Sequence, residues 1–218
     1  MDKNSETFEP EIVLDFWFPD DNFWATKEGF FAWIQHRMQG GVDDYICTNL
    51  SELTTAAARG ELDHWAKTPS GRLALVIALD QFPRSLRRDT PQAYGQDIKA
   101  NCLILESFQN GHFEPLKPWE KLFYVIALTH CEGPDHLQRF DLVESATETL
   151  ISEMPHHLAD SADLLRAQNA TVRANIERFG RHPHRNQILG RISTPQEEAY
   201  IEAGIFPHLP NGQPDMPT

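Results

Sequence analysis

The chain has 218 residues, of which 40% are hydrophobic, so it is long enough to bury a substantial core within one domain. Its 32 acidic and 19 basic residues give a net charge of −13, which repels phosphate backbones and disfavours a nucleic-acid partner. The three cysteines are odd in number and contain no CxxC pair, which indicates neither a disulfide framework nor a structural zinc site and fits a reducing cytosol.

The amino-terminal residues are polar and lack the apolar core of a signal peptide. The longest aliphatic runs, such as residues 73–79, are much too short to cross a bilayer. We therefore expect a soluble cytoplasmic protein without a membrane partner.

Helical signals begin close to the amino terminus. Pro10 suits the first turn of a helix, and apolar residues recur after it at helical spacing until Pro19. A second helix is predicted over 30–38. The next helix is predicted from Asp43 to Gly60, because apolar residues repeat at steps of three and four before glycine stops the helix.

The stretch from 73 to 79 predicts a central helix, because it is apolar on every side and so must be surrounded by other helices. Pro83 has no amide hydrogen and is expected to end this helix. Five residues of the stretch recur 49 positions later, at 122–128. This recurrence suggests stacked helical hairpins or a chance match of common aliphatic residues.

Further helices are predicted over 90–110, from Pro118 through Leu128, and over 135–154, 158–179 and 194–204. Most of them begin at a capping residue or a first-turn proline, and three of them stop at a glycine. The last has the spacing of a capping box, with Thr194 three residues before Glu197.

No pair of strands and no hairpin is indicated anywhere, so the predicted fold class is all-α, with about seven to nine helices. We expect a single domain over residues 1–206. The tail at 207–218 carries repeated prolines and is expected to be mobile.

Two short segments are rich in charged and amide side chains at the point where a helical run stops, 79–84 (LDQFPR) and 179–186 (FGRHPHRN). Six arginines lie in or near them: Arg84, Arg87, Arg88, Arg181, Arg185 and Arg191. Their convergence would form an anion site, since the planar guanidinium matches carboxylate and phosphate groups with paired hydrogen bonds. The predicted ligand-binding residues are Asp80, Gln81, Arg84, Arg88, Asp97, Arg181, His184, Arg185, Asn186 and Arg191.

The same residue types allow a purely structural alternative. Asp80, Asp97 and Glu132 could pair with these arginines in a buried ion-pair network that sets the register of the helices and binds nothing. Both alternatives stay open at the level of the sequence.

Three side chains are candidates for catalysis, His130, Glu132 and His184, since they supply the groups of a general acid or base. His130 and Glu132 are two positions apart and do not face the same way on a continuous helix. No HExxH pattern is present either, so no metal site and no cofactor are predicted.

Four motifs resemble those of the DUF924 family: ELDHW at 61–65, LDQFPR at 79–84, FGRHPHRN at 179–186 and LGRISTP at 189–195. The resemblance extends over nearly the whole chain. It implies a tetratricopeptide-like array of antiparallel helical hairpins, in a family without a defined activity, substrate or cofactor. Two residues depart from the family pattern: His182 stands where an aromatic residue is usual, and Val172 stands near the place of an expected histidine.

Two classes of function follow from these residues. The first is a non-catalytic binding module whose arginine- and histidine-lined cleft captures an acidic peptide or a small anionic metabolite. The second is a small hydrolase or transferase, in which His130 or His184 moves a proton while arginines stabilise developing negative charge.

Overall fold

The computed structural model describes residues 8–204 and 206, and these residues form α-helices and short 3-10 turns with no strand among them. The α-helices are α1 (Pro10–Trp17), α2 (Lys27–Met38), α3 (Asp43–Asn49), α4 (Ser51–Ala58), α5 (Pro69–Leu86), α6 (Asp97–Asn110), α7 (Pro118–His130), α8 (His136–Glu153), α9 (Ser161–Phe179) and α10 (Pro195–Ala203). The 3-10 turns are Phe23–Ala25, Asp63–Lys67, Pro91–Tyr94, His156–Leu158 and Pro183–Arg185. The predicted all-α fold class is confirmed.

The described residues contain ten α-helices, one more than the upper end of the expected range. The difference lies in the stretch predicted as one helix from Asp43 to Gly60. At Leu50 the backbone ψ angle is 8°, which interrupts the helix, and the Leu50 side chain is buried in the core. The stretch is therefore two helices, α3 and α4.

Helix α5 lies at the centre of the fold, because it packs against α1, α3, α4, α6 and α7. Every residue from 73 to 79 is at most 1% exposed, so the predicted central helix is confirmed. Each large aliphatic side chain buried there stabilises the fold by about 1.5–3 kcal/mol relative to its exposed state.

The predicted end of this helix at Pro83 is wrong. Helix α5 continues to Leu86, and the amide of Arg87 donates to the Pro83 carbonyl at 2.8 Å. Proline removes one helical hydrogen bond, but the helix is packed on all sides at this point and tertiary contacts stabilise it through the interruption. The continuation places Arg84 one turn beyond Asp80 on the same face of α5.

The helix predicted over 90–110 is also divided. Pro91–Tyr94 form a 3-10 turn, and the non-helical backbone of Gln96 separates this turn from α6. Tyr94 and Asp97 therefore lie on either side of a bend. The Tyr94 ring contacts Arg185, and the Asp97 carboxylate pairs with Arg84.

Other predicted helix ends are confirmed. The Glu197 amide donates to Thr194 Oγ1 at 3.3 Å, and the Thr194 amide donates to Glu197 Oε2 at 2.8 Å, which is the predicted capping box. Gly180 and Gly204 both have φ of +68°, a left-handed conformation that glycine adopts without a steric penalty.

Successive helices pack on one another from α3 to α9, as the helices of hairpins do. The tetratricopeptide-like arrangement and the single domain over 1–206 stay predictions, and the predicted mobile tail at 207–218 lies outside the described residues. None of the described helices is long and apolar enough to cross a membrane.

Candidate functional site

Asp80 and His130 form a buried pair between α5 and the end of α7. The His130 Nδ1 atom lies 3.0 Å from Oδ1 and 3.1 Å from Oδ2 of Asp80. Two other groups hold the same carboxylate, since Gln81 Nε2 donates to Oδ2 at 2.5 Å and Arg84 Nη1 lies 3.0 Å from Oδ1. Asp80 is only 1% exposed, so its negative charge is neutralised within the fold.

The His130 ring is neutral at physiological pH. Burial lowers its pKa well below the ordinary value, and the positive charges of Arg84 and Arg185 lower it further. Because a carboxylate oxygen can only accept, the neutral ring carries its proton on Nδ1 and its lone pair on Nε2. This is the tautomer that a general base needs.

Asp97 joins the two arginines of the separate sequence segments. Arg84 Nη2 lies 3.0 Å from both carboxylate oxygens of Asp97, and Arg185 Nη1 lies 3.4 Å from Oδ2. Arg185 Nη1 also donates to the backbone carbonyl of His130 at 2.8 Å. The Tyr94 ring lies beneath both cations, with its centroid 5.7 Å from Cζ of Arg84 and 4.4 Å from Cζ of Arg185.

Burial and neighbouring opposite charges shift the pKa values of Asp97, Arg84 and Arg185 in opposite directions. Burial raises the pKa of Asp97 to about 6, although the charges of Arg84 and Arg185 lower it. Burial lowers the pKa of Arg185, whereas for Arg84 the burial effect is exceeded by the attraction of Asp80 and Asp97 and the pKa is raised. Both guanidiniums are charged at pH 7, since arginine is too basic to lose its proton in a folded protein.

A cleft of about 370 Å³ opens above this group. Its charged lining residues are Arg37, Asp43, Arg84, Arg88, Asp89 and Arg185, and its larger apolar lining residues are Trp17, Met38, Ile188, Ile201 and Phe206. Asp80 and Asp97 are not among the lining residues, so they lie behind the arginines that they neutralise.

The structure divides the predicted ligand-binding residues into three groups. Five of them line the cleft: Gln81, Arg84, Arg88, His184 and Arg185. Asp80 and Asp97 hold three of these residues, Gln81, Arg84 and Arg185, from behind. The other three, Arg181, Asn186 and Arg191, lie away from the cleft, and Arg87 is exposed outside it.

The residues away from the cleft hold the carboxyl-terminal part of the fold. Arg181 Nε donates to Glu197 Oε1 at 2.7 Å, and Arg191 Nη1 donates to Glu132 Oε2 at 2.6 Å. Asn186 Nδ2 donates to Ser193 Oγ at 3.0 Å. These contacts are two ion pairs and one neutral hydrogen bond within the fold, as the structural alternative expects, and a ligand-binding role of the three residues stays a prediction.

Glu132, a predicted catalytic candidate, belongs to the same network. It accepts from Arg191 and from the backbone amide of His182 at 2.6 Å, and it does not line the cleft. Burial raises its pKa, but the hydrogen bond from Arg191 and the charge of Arg185 prevail and lower it. Glu132 is therefore an anion held by its hydrogen-bond donors, and its catalytic role stays a prediction.

His182 and His184 differ in their surroundings. His182 is buried, with Nε2 3.0 Å from the Thr129 carbonyl oxygen and its ring 5.5 Å from that of His136. It thus packs where the family pattern places an aromatic ring. His184 lines the cleft, and its ring centroid lies 5.2 Å from that of Phe206.

Sequence reasoning missed Arg37, Trp17 and Tyr94. Arg37 Nε donates to the Trp17 carbonyl at 2.7 Å, and its Cζ lies 5.6 Å from the Trp17 ring. Burial lowers the pKa of Arg37 to about 10, so it remains charged at pH 7. These residues stand alone in the sequence, and only a signal of long-range contact could have connected them to the two segments.

Within the described part of the chain, no group of three or more His, Cys, Asp or Glu side chains is placed to hold a metal ion. Asp80 is already held by Gln81, Arg84 and His130. Cys131 is buried, and burial raises the pKa of its thiol to about 11, so it is not activated as a nucleophile.

Comparison with known proteins places the chain among proteins without a defined function. A family model described as a bacterial protein of unknown function (DUF924) matches residues 13–204. A solved structure of a protein of unknown function from Agrobacterium tumefaciens is 30% identical, covers 89% of this chain and 97% of its own, and superposes with a TM-score of 0.64. A comparison with the curated proteins finds no match.

Proposed function

We propose a function for this chain, which belongs to the DUF924 family of bacterial proteins of unknown function, from the chemistry of its cleft: it binds a small anionic molecule. The observation that carries the proposal is that arginine side chains lie at the surface of the cleft and their carboxylate partners lie behind them. Arg84, Arg88 and Arg185 line the cleft, whereas Asp80 and Asp97 lie behind it. A ligand entering the cleft meets guanidinium groups first.

The balance of charge along the walls supports the same conclusion. Four arginines and two aspartates line the cleft, and with Asp80 and Asp97 behind them the charges at the site balance, although the whole chain carries −13. A site without net negative charge, with guanidinium groups on its surface, favours a compact anion over a long polyanion that would lie along the acidic surface.

The size of the cleft favours a small molecule over a peptide. A volume of about 370 Å³ is at the lower end of the range of small-molecule sites, which runs from about 300 to 1,000 Å³. An extended acidic peptide would need a longer groove. The small anionic metabolite is therefore the better of the two ligands considered from the sequence.

The arginines are held in place before any ligand arrives. Arg84 is fixed on α5 by Asp80 and by both oxygens of Asp97, and Arg185 lies against the Tyr94 ring. Side chains that are already ordered lose little entropy on binding, which raises affinity for a given set of contacts.

The experiment is a thermal-shift screen of the purified chain with a panel of small anions and uncharged analogues. We expect concentration-dependent stabilisation by anions, absent in Arg185→Gln and retained in Arg87→Gln. Arg87 is a matched control because it is an exposed arginine near the same cleft that does not line it. Stabilisation by no anion, or equally in both variants, would contradict the proposal.

A second candidate function is acid–base catalysis, favoured by the pairing of Asp80 with His130. Asp80 orients the ring, and His130 lines the same cleft as the arginines. An anionic substrate held by Arg185 would lie close to this ring, since Arg185 donates to the His130 backbone. A screen for hydrolysis of small anionic esters, with His130→Gln and the exposed His157→Gln as control, would reveal such an activity.

A further inference from the structure

Two side chains that line the cleft each carry a buried hydrogen-bond donor without an acceptor. Arg185 is 4% exposed and Trp17 is 1% exposed, and both side chains line the cleft. Arg185 Nε and Trp17 Nε1 find no hydrogen-bond partner among residues 8–204 and 206. Buried donors without acceptors are rare in folded proteins, because they lose their hydration without replacing it.

The free part of Arg185 is one edge of its guanidinium. Nη1 is engaged with Asp97 and with the His130 carbonyl, whereas Nε and Nη2 make no hydrogen bond to any described residue. Nε and Nη2 point their hydrogens in nearly parallel directions. This is the edge that binds the two oxygens of a carboxylate side-on.

The charge behind the cleft favours a single negative charge on the ligand. Arg84 and Arg185 are faced by two carboxylates, Asp80 and Asp97, so the buried group is close to electrically balanced. A monoanion is matched by the one free guanidinium edge of Arg185, whereas a phosphate dianion would bring a second charge without a second free edge, since all three nitrogens of Arg37 donate to backbone carbonyls.

The rest of the cleft is suited to an apolar body. Met38, Ile188, Ile201 and Phe206 line it together with the Trp17 ring. Apolar walls gain free energy only from apolar ligand atoms that leave water on binding.

We propose that the ligand is a small monocarboxylate with an apolar body, its carboxylate bound side-on to Nε and Nη2 of Arg185. An oxygen of the ligand accepts from Trp17 Nε1, and the body lies against the apolar wall. The inference rests on the proposed anion binding and names the chemical class that this site selects.

The experiment is isothermal titration calorimetry of the whole chain with 4-phenylbutyrate, 4-phenylbutyramide, acetate and phenyl phosphate. We expect 4-phenylbutyrate to bind most tightly, and its amide at least about 10-fold more weakly, because a charged bidentate pair is lost. Acetate should also bind more weakly than 4-phenylbutyrate, since its single methyl group leaves most of the apolar lining residues without contact. This series needs no variant to fold.

Variants then locate the carboxylate. Arg185→Lys keeps the charge and removes the two-donor edge, so 4-phenylbutyrate affinity should fall about 10-fold or more, whereas Arg87→Lys should leave it unchanged. Trp17→Phe keeps an aromatic ring at this position and removes the donor, and should weaken binding by several-fold.

The outcomes separate this inference from the proposed function. Phenyl phosphate binding at least as tightly as 4-phenylbutyrate, or the amide binding equally, would overturn the monocarboxylate while leaving anion binding in place. If neither these probes nor any other small anion bind, both fail. Binding unaffected by Arg185→Lys would move the carboxylate away from Arg185 and overturn the inference.

Discussion

Asp80 and His130 are 50 positions apart in the sequence, yet their side chains meet through both oxygens of the carboxylate, with Nδ1 at 3.0 and 3.1 Å. The pair connects the central helix α5 to the end of α7, and it orients one of the two histidines that line the cleft. Asp80 therefore connects the core helix to a side chain of the cleft, and its replacement should change both the stability of the fold and the orientation of His130.

Replacing Asp80 by Asn should lower the free energy of unfolding by about 1–3 kcal/mol, because Arg84 loses one of its two buried counter-charges and keeps Asp97, while His130 loses a charged acceptor. The measurement is equilibrium unfolding in urea. Glu148→Gln serves as control, since Glu148 pairs with Arg166 at the exposed surface and should change stability very little. Equal effects of the two substitutions would refute a stabilising role of the buried pair.

The two cleft arginines should differ in their effect on stability. Arg84→Ala removes the partner of both Asp80 and Asp97 and should cost about 3 kcal/mol or more. Arg185→Ala leaves Asp97 paired with Arg84 and should cost about 1–3 kcal/mol, which lowers the melting temperature by several degrees. Differential scanning calorimetry of both variants measures the order, and the reverse order would show that Arg185 is the main structural cation.

Binding of a small anion should strengthen as the pH falls through about 6. Burial raises the pKa of Asp97 to about 6, so lowering the pH from 7.5 to 5.5 protonates most of this carboxyl, and the lowered pKa of His130 favours its neutral form over the same range. The buried group then carries one more positive charge facing the anion. Titration of 4-phenylbutyrate at both pH values tests this, and Asp97→Asn should abolish the difference.

His136 should make the fold less stable in acid. Its pKa is lowered to about 4 by burial and by the charge of Arg139, against an ordinary value of 6.5. Between these pH values the unfolded chain binds a proton that the folded chain does not, so stability is present above 6.5 and is lost as the pH falls toward 4.

Replacing His136 by Phe should remove this share of the acid sensitivity, since the ring is stacked on Phe140 at 5.6 Å and a phenyl ring fits the same contact. Unfolding curves of the variant between pH 7 and pH 5 should show a shallower loss of stability than those of the parent chain. The remaining slope includes His130, whose lowered pKa acts in the same direction. An unchanged slope would mean that His136 is already protonated in the fold.

Any reaction that uses His130 as a general base should proceed at a constant rate between pH 8 and pH 6. The pKa of His130 lies well below the ordinary value, so its base form persists where an ordinary histidine would lose it near 6.5. A pH–rate profile of the activity found by screening decides this, because a fall with a midpoint near 6.5 would point instead to a solvated histidine.

Local signals in the sequence predicted the helices well where capping residues, first-turn prolines and left-handed glycines decide the matter, as at Thr194, Pro118 and Gly180. They failed at Pro83, where tertiary packing lets the helix continue through a proline. They failed again between Tyr94 and Asp97, where a bend separates a short 3-10 turn from α6.

The candidate site was predictable only where local composition marks its residues. The segments 79–84 and 179–186 could be recognised by composition, and the structure brings Arg84 and Arg185 onto one carboxylate. Which arginines face the cleft depends on packing between distant helices, so Arg181 could not be told from Arg185 beforehand. The long-range contributions of Trp17 and Arg37 leave no local pattern.

The position of Arg84 on α5 has a consequence for how the cleft can respond to what enters it. Helix α5 packs against five other helices, so Arg84 cannot move without loosening the core. Arg185 stands on the short turn Pro183–Arg185, but Asp97, the His130 carbonyl and the Tyr94 ring hold its guanidinium next to that of Arg84. Adjustment to ligands of different shape should therefore be confined to the exposed side chains that line the cleft, such as Arg88.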